Sequence, residues 1–356
     1  METLIFFAAP LIFFFGLFSR LADKSPISAP MVFVTVGILA GPLGFGLFEL
    51  NLDGELVQTL AEVTLILILF SDASTIDLKA LRKEYVIPSR LLGIGLPLTM
   101  IFGLGLALVM FPGVSVWMLA IMAFILSPTD AALGQAVVNS EQVPGDVRDA
   151  IGVESGLNDG IALPPIMACT AALTAAAGTD LDLGYWVGFA FKQIAFGPVA
   201  GAAVGLVGGW LINRAVKKDW MEPLFQRLAS IALALMCYSL AEQLGGNGFI
   251  AAFFGGLMLS ARTREVRERL QEFGEAEGEL LSLFVFLIFG MVVMPKSYEH
   301  WDFTALLYAA LSLTVVRMVP VALCLIGTKM DRPTVGFIGW FGPRGIASVL
   351  YLLIFL

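Results

Sequence analysis

Histidine is almost missing from this chain: His300 is its sole example in 356 residues. It falls in a short polar connection, so histidine-based acid–base or nucleophilic chemistry within the apolar stretches is excluded. Cysteine is nearly as scarce. Cys169, Cys237 and Cys324 sit in separate apolar runs without CxxC spacing, a pattern of neither a disulfide framework nor a zinc site. Charge is thin as well, with 14% Asp, Glu, Lys and Arg against about 25% in soluble domains. The net charge is −8 and no basic stripe appears, which speaks against a nucleic-acid partner. The opening METLIFFAAPLIFFFGLFSR lacks a basic leader and carries its positive charge after the apolar run, so it reads as a retained first span rather than a signal peptide.

What the chain has instead is apolar length. It is 58% hydrophobic, with a mean hydropathy of +0.88. At about 20 apolar residues per crossing, the pattern predicts an all-α polytopic membrane protein with twelve spans, at roughly 3–20, 27–47, 56–76, 86–111, 114–138, 149–174, 184–212, 226–243, 247–261, 280–295, 303–327 and 333–356. Lysine and arginine crowd the odd-numbered connections, while the even-numbered ones carry Lys296 alone. The positive-inside rule then places the odd connections in the cytoplasm and the N-terminus outside. A small, compact, acidic chain of this kind fits a prokaryotic inner membrane. It stops at YLLIFL without a polar tail, so further sequence is expected beyond Leu356.

Two spans are interrupted. In the fifth, VWMLAIMAFIL meets SPTD before AALGQAVV; in the twelfth, PTVGFIGW meets FGPRG before IASVLYLLIFL. Pro128 and Pro343 each remove a backbone donor and disfavour helix in the residue before them. Such breaks at membrane depth are tolerated where protein or a water-filled cavity satisfies the freed groups. Spans five and twelve run in opposite directions, as an inverted repeat requires. Interrupted spans in matching positions of two halves point to a transport site.

The sixth span concentrates the polar residues. Glu154, Asn158, Ser155 and Asp159 fall at roughly 0°, 40°, 100° and 140° around a helix, sharing about half its surface. A carboxylate near the bilayer centre costs about 2.5–3.5 kcal/mol on the insertion scale and marks an ion pathway or a named partner. Arg317, deep in span eleven, stays charged and must meet an anion. Pairing it with Glu154 leaves Asp159 as the titrating group. The break at SPTD frees carbonyls and adds the Thr129 hydroxyl, oxygen donors suited to a hard cation. Asp130 and Arg344 are expected to cap the opposite-signed half-helix ends of each other's broken span. Asp72 lines a cytoplasmic funnel or is an interfacial carboxylate. Lys192 snorkels, and Glu62 receives no role. Gly197, Gly201, Gly205 and Gly209 form a small-residue ridge for close packing, within the chain or between subunits. The run ARTREVRERLQEFGEAEGE reads as a cytoplasmic connecting helix with a solvated face.

Taken together, SPTDAALG, ESGLNDG, Arg317 and GPRGIAS, in this order, resemble the cation:proton antiporter-1 family, the NhaP-like sodium/proton antiporters. The resemblance covers essentially the whole chain. It implies an inverted-repeat fold of thirteen helices, one more than is visible, an outward N-terminus and a homodimer. The two discontinuous helices would cross in a transport core of about 86–174 and 303–356, beside a scaffold and dimer part of about 1–85 and 184–295. It implies Asp159 as the ion- and proton-binding carboxylate, with Ser155 and Thr129 as further sodium ligands. Asn158 and Asp130 would organise the site, and Glu154 with Arg317 would form a buried pair. Asp72 is a position where relatives vary. No enzyme activity and no cofactor are implied, only transported Na+, or Li+ or K+, and H+. Asn158 stands where electrogenic relatives carry a second aspartate, so electroneutral one-for-one exchange is expected. The rival reading is a sodium-coupled organic-anion symporter on a related fold. An intramembrane aspartyl protease would need a second facing aspartate motif, which the chain lacks.

Overall fold

A computed structural model of the chain describes all residues except 1, 23–24, 26, 48–54, 77–84, 131–142, 177–182, 261–266, 329 and 356. Among the described residues every regular element is a helix, the arrangement that satisfies backbone donors and acceptors without water. Helix α1 spans Glu2–Ala22, α2 Ala29–Ala40 and α3 Glu55–Thr75. Helix α4, Val86–Met110, contains a π-helical turn at Leu91–Gly95. Then follow α5 (Val116–Ile125), α6 (Gly145–Ala176), α7 (Leu183–Lys217), α8 (Pro223–Gln243) and α9 (Gly248–Ser260). Helix α10, Arg267–Ile288, runs on through a second π turn at Phe289–Val293. Helix α11, Phe303–Cys324, steps at Thr314. Helices α12 (Arg332–Trp340) and α13 (Ile346–Phe355) complete the series.

Each expected span overlaps one of these helices, the twelfth overlapping the pair α12 and α13 and the fifth overlapping only α5. Seven are long and apolar enough to cross a membrane: α3, α4, α6, α7, α8, the segment Ala276–His300 and α11. Helices α1, α2, α5, α9 and α13 are apolar but shorter in their described parts. Val109, Val199 and Ile326 are largely exposed, a distribution that suits a hydrocarbon solvent. The expected connecting helix is continuous with span ten in α10. Its first residues, and the second half of span five, lie outside the described residues.

The chain divides into two compact units. One comprises Met1–Thr64, Ala276–Phe303 and Val349–Leu356. Within it α2 packs on the second π turn. A Cβ on Gly37 would strike the Leu287 carbonyl, and one on Gly290 the Val34 carbonyl. The other unit, Leu65–Glu275 and Thr304–Ser348, holds the polar residues singled out above. In it the glycine ridge of α7 is spent inside the chain: Gly197, Gly201 and Gly205 abut the backbone carbonyls of Asn247, Ala251 and Gly255. Helix α9 in turn sets the Phe253 ring against Gly160 of α6. An apolar cluster including Leu91, Val147, Ile151, Val321 and Ile338 joins α4, α6, α11 and α12.

Candidate functional site

After α5 the chain is non-helical from Leu126 to Asp130, the last described residue there, and a break between α12 and α13 covers Phe341–Gly345. The two stretches meet. The Asp130 amide donates to the Pro343 carbonyl at 2.9 Å, and the Ser348 hydroxyl donates to the Ile125 carbonyl at 2.7 Å. Each contact uses a backbone group that an intact helix would have engaged internally.

Arg344 is the larger bridge. Its Nη1 donates to the carbonyls of Ser127 at 2.8 Å and Pro128 at 3.0 Å, and its Nη2 to Ser312 at 3.2 Å. A cation thus lies on the negative end of α5, where the helix dipole favours it. The Asp130 carboxylate lies directly against Gly345, the residue before α13, at the positive end of that helix. A side chain on residue 345 would occupy the same space, so glycine is what admits the carboxylate there.

Helix α6 presents its polar face in two directions. Glu154 turns to Arg317 of α11, with Nη1–Oε1 at 2.6 Å and Nη2–Oε2 at 2.7 Å. Both side chains are fully buried. One charge-assisted hydrogen bond, Nη2 to Oε2, and the close Nη1–Oε1 charge contact offset the cost of taking two charges out of water. Asn158 and Ser155 turn to Thr129 in the stretch after α5. The Asn158 Nδ2 donates to the Thr129 carbonyl at 2.9 Å and to its hydroxyl at 2.8 Å. The Thr129 and Ser155 hydroxyls stand 3.4 Å apart. A carbonyl can only accept, so the amide orientation is fixed by chemistry. The Asn158 Oδ1 is left as a buried acceptor with no donor among the described residues. This orphan oxygen carried no sequence signal, because composition and spacing do not say which amide atom is used.

Asp159 follows Asn158 and is only partly buried. The charged groups that act on it are Asp130 first and then Asp72. Asp72 is exposed on α3, and its backbone carbonyl lies beside Gly156 of α6. The structure therefore brings Thr129, Ser155 and Asn158 together, with Asp130 and Asp159 the residues that follow Thr129 and Asn158 in the chain. Glu154, on the same helix α6, is paired to Arg317, and Arg344 lies on the carbonyls of Ser127 and Pro128. Lys192 is exposed on α7. Arg90 was passed over in the sequence, yet its Nη1 caps α11 by donating to the carbonyls of Cys324 at 3.2 Å and Ile326 at 2.6 Å. Among the described residues no group of three or more His, Cys, Asp or Glu is placed to hold a metal ion. The oxygens present are mainly hydroxyl and amide oxygens with a few carboxylates, a set for a hard cation of low charge.

The chain is 27% identical over 335 residues to the K(+)/H(+) antiporter NhaP of Alkalimonas amylolytica, covering 93% of this chain and 57% of that protein. It is 24% identical over 346 residues to the Na(+)/H(+) antiporter 2 of Zygosaccharomyces rouxii, covering 91% of this chain and 42% of that one. It thus spans about half the length of the curated relatives it matches. The solved sodium proton antiporter MjNhaP1 from Methanocaldococcus jannaschii superposes with a TM-score of 0.79 at 19% identity, over 99% of this chain and 85% of its own, a likeness of fold. Residues 9–356 match the profile described as sodium/hydrogen exchanger, transmembrane, and this chain belongs to that family.

Proposed function

We propose that the protein exchanges a monovalent cation, sodium first among the candidates, for a proton across a membrane, one for one. Asp159 holds whichever of the two is present. The observation that carries this reading is the cluster of oxygens between the non-helical stretch after α5 and the part of α6 that carries Asp159: the Thr129 and Ser155 hydroxyls and the unpartnered Asn158 Oδ1. A bare carboxylate is disfavoured out of water, so Asp159 is neutralised by a cation or a proton, and the two compete. Glu154 does not compete, because Arg317 already matches its charge. With a single exchangeable carboxylate, each half-cycle carries the same charge, and exchange is electroneutral.

The rest of the reading follows the same logic. Twelve spans, crossed broken helices, a core of about 86–174 and 303–356 moving against a scaffold, and a homodimer form the framework for alternating access. The odd-numbered connections face the cytoplasm of a prokaryotic inner membrane. Asp72, exposed on α3, belongs to the cytoplasmic approach. Potassium is the second reading, favoured by the name of the Alkalimonas relative.

The test is exchange in proteoliposomes with an acidic lumen and a pH-sensitive dye. Sodium added outside should collapse the gradient with the wild type and not with Asp159→Asn, at a rate unchanged by an imposed membrane potential. Collapse with potassium alone would keep the mechanism and change the cation. A response to potential would overturn electroneutrality. No exchange with either ion from folded protein would bring forward a sodium-coupled organic-anion symporter.

A further inference from the structure

Away from the site, helices α7 and α8 enclose a groove of about 450 Å³. It is lined by apolar side chains throughout, among them Val204, Val207 and Leu211 of α7 and Ala232, Leu233 and Met236 of α8. From Ala203 to Ile212 it runs nine residues along α7, about 14 Å. That is about half of a 30 Å hydrocarbon core, the depth of one leaflet. Val207, Leu211 and Met236 are more than half exposed.

The groove has a charged mouth. At 100° per residue, Val204, Val207, Leu211, Arg214 and Lys218 fall within about 80° of arc, so Arg214 and Lys218 continue the groove stripe toward the turn. Lys218 keeps helical geometry, its amide bonding the Arg214 carbonyl at 3.2 Å. Both cations are exposed and braced on indole rings, Arg214 at 5.5 Å from Trp210 and Lys218 at 4.4 Å from Trp220. Tryptophans at this level mark the membrane–water boundary. The turn also carries Asp219 and Glu222, which Lys217 and Arg227 offset. Lys217 projects about 100° from the centre of the stripe.

We propose that this groove binds one anionic phospholipid, its acyl chain lying between α7 and α8 and its phosphate between Arg214 and Lys218. The apolar length fits a chain of one leaflet, and the paired cations at its end fit a negative headgroup. A zwitterionic headgroup such as phosphocholine brings its own ammonium to the two cations and so matches them less well. Each cation that meets the headgroup directly strengthens its binding by about fivefold.

The experiment is native mass spectrometry of the detergent-solubilised protein. It is titrated with phosphatidylglycerol or with phosphatidylcholine of the same acyl chains. One phosphatidylglycerol per chain should be retained, with phosphatidylcholine much weaker. The double variant Arg214→Gln/Lys218→Gln should weaken retention about thirtyfold, whereas Lys217→Gln, equal in charge to either single change, should leave it unaltered. Ala232→Phe should expel the lipid by filling the groove while leaving both cations in place. Melting temperature in lipid-free detergent checks that each variant is folded. Equal retention of the two lipids, or an equal effect of Lys217→Gln and Lys218→Gln, would overturn the proposal. So would a chain-to-chain disulfide from Val207→Cys formed in the membrane, which would give the groove to a second copy.

Discussion

Glu154 and Arg317 are the most deeply buried opposite charges among the described residues, and each is the other's reason for being there. Removing one leaves the other charged in a dry interior, at a cost of about 3–5 kcal/mol. Glu154→Gln and Arg317→Met should each sharply lower the melting temperature in detergent. The double variant should be less damaged than the sum of the two, and a strictly additive cycle would mean the pair carries no coupling. At this scale much was legible in the sequence. A carboxylate or arginine inside an apolar run is expensive and so stands out, which is how Asp159, Glu154 and Arg317 were found. The exact partners of uncharged groups were not legible. The three carbonyls held by Arg344 and the orphan Oδ1 of Asn158 arise from backbone paths that no spacing rule encodes. Arg90 was missed for a related reason: at a span's end it counts toward orientation, and its capping of α11 needs the fold to be seen.

Between elements, glycine decides which helices can touch. Gly201 brings α7 against the backbone of α9 at Ala251, while Gly105, in α4, faces open space. Gly201→Ala should destabilise the protein by about 1–3 kcal/mol through overpacking. Gly105→Ala should hold or raise stability, since alanine loses less freedom in a helix. The pair of melting temperatures checks both, and equal responses would show that the ridge does not set the packing. The four-residue glycine spacing was visible in the sequence, but whether it served a neighbouring subunit or this chain was not. The α7–α9 contact answers that for Gly197, Gly201 and Gly205. The π turns in α4 and α10 left no trace beforehand, because one extra residue per turn does not alter an all-apolar pattern. At Leu91–Gly95 the turn brings Gly95 to the Cys324 side chain of α11, on the helix that carries Arg317.

For the whole molecule, apolar length alone foretold the order of the helices, because hydrocarbon admits few alternatives to them. The interruption of span twelve was foretold by Pro343 and the end of α5 by Pro128, and the structure adds that these two stretches are tied together. The Asp130 amide, bonded to Pro343 across more than two hundred residues of sequence, is consequently a timepiece for the molecule. Its proton can swap for deuterium only when the two stretches part. If they travel as one piece, deuterium uptake at Asp130 should be equally slow in cation-loaded and proton-loaded protein. A tenfold quickening, about 1.4 kcal/mol of lost protection, would instead count how often the molecule comes undone at its middle each time cargo changes.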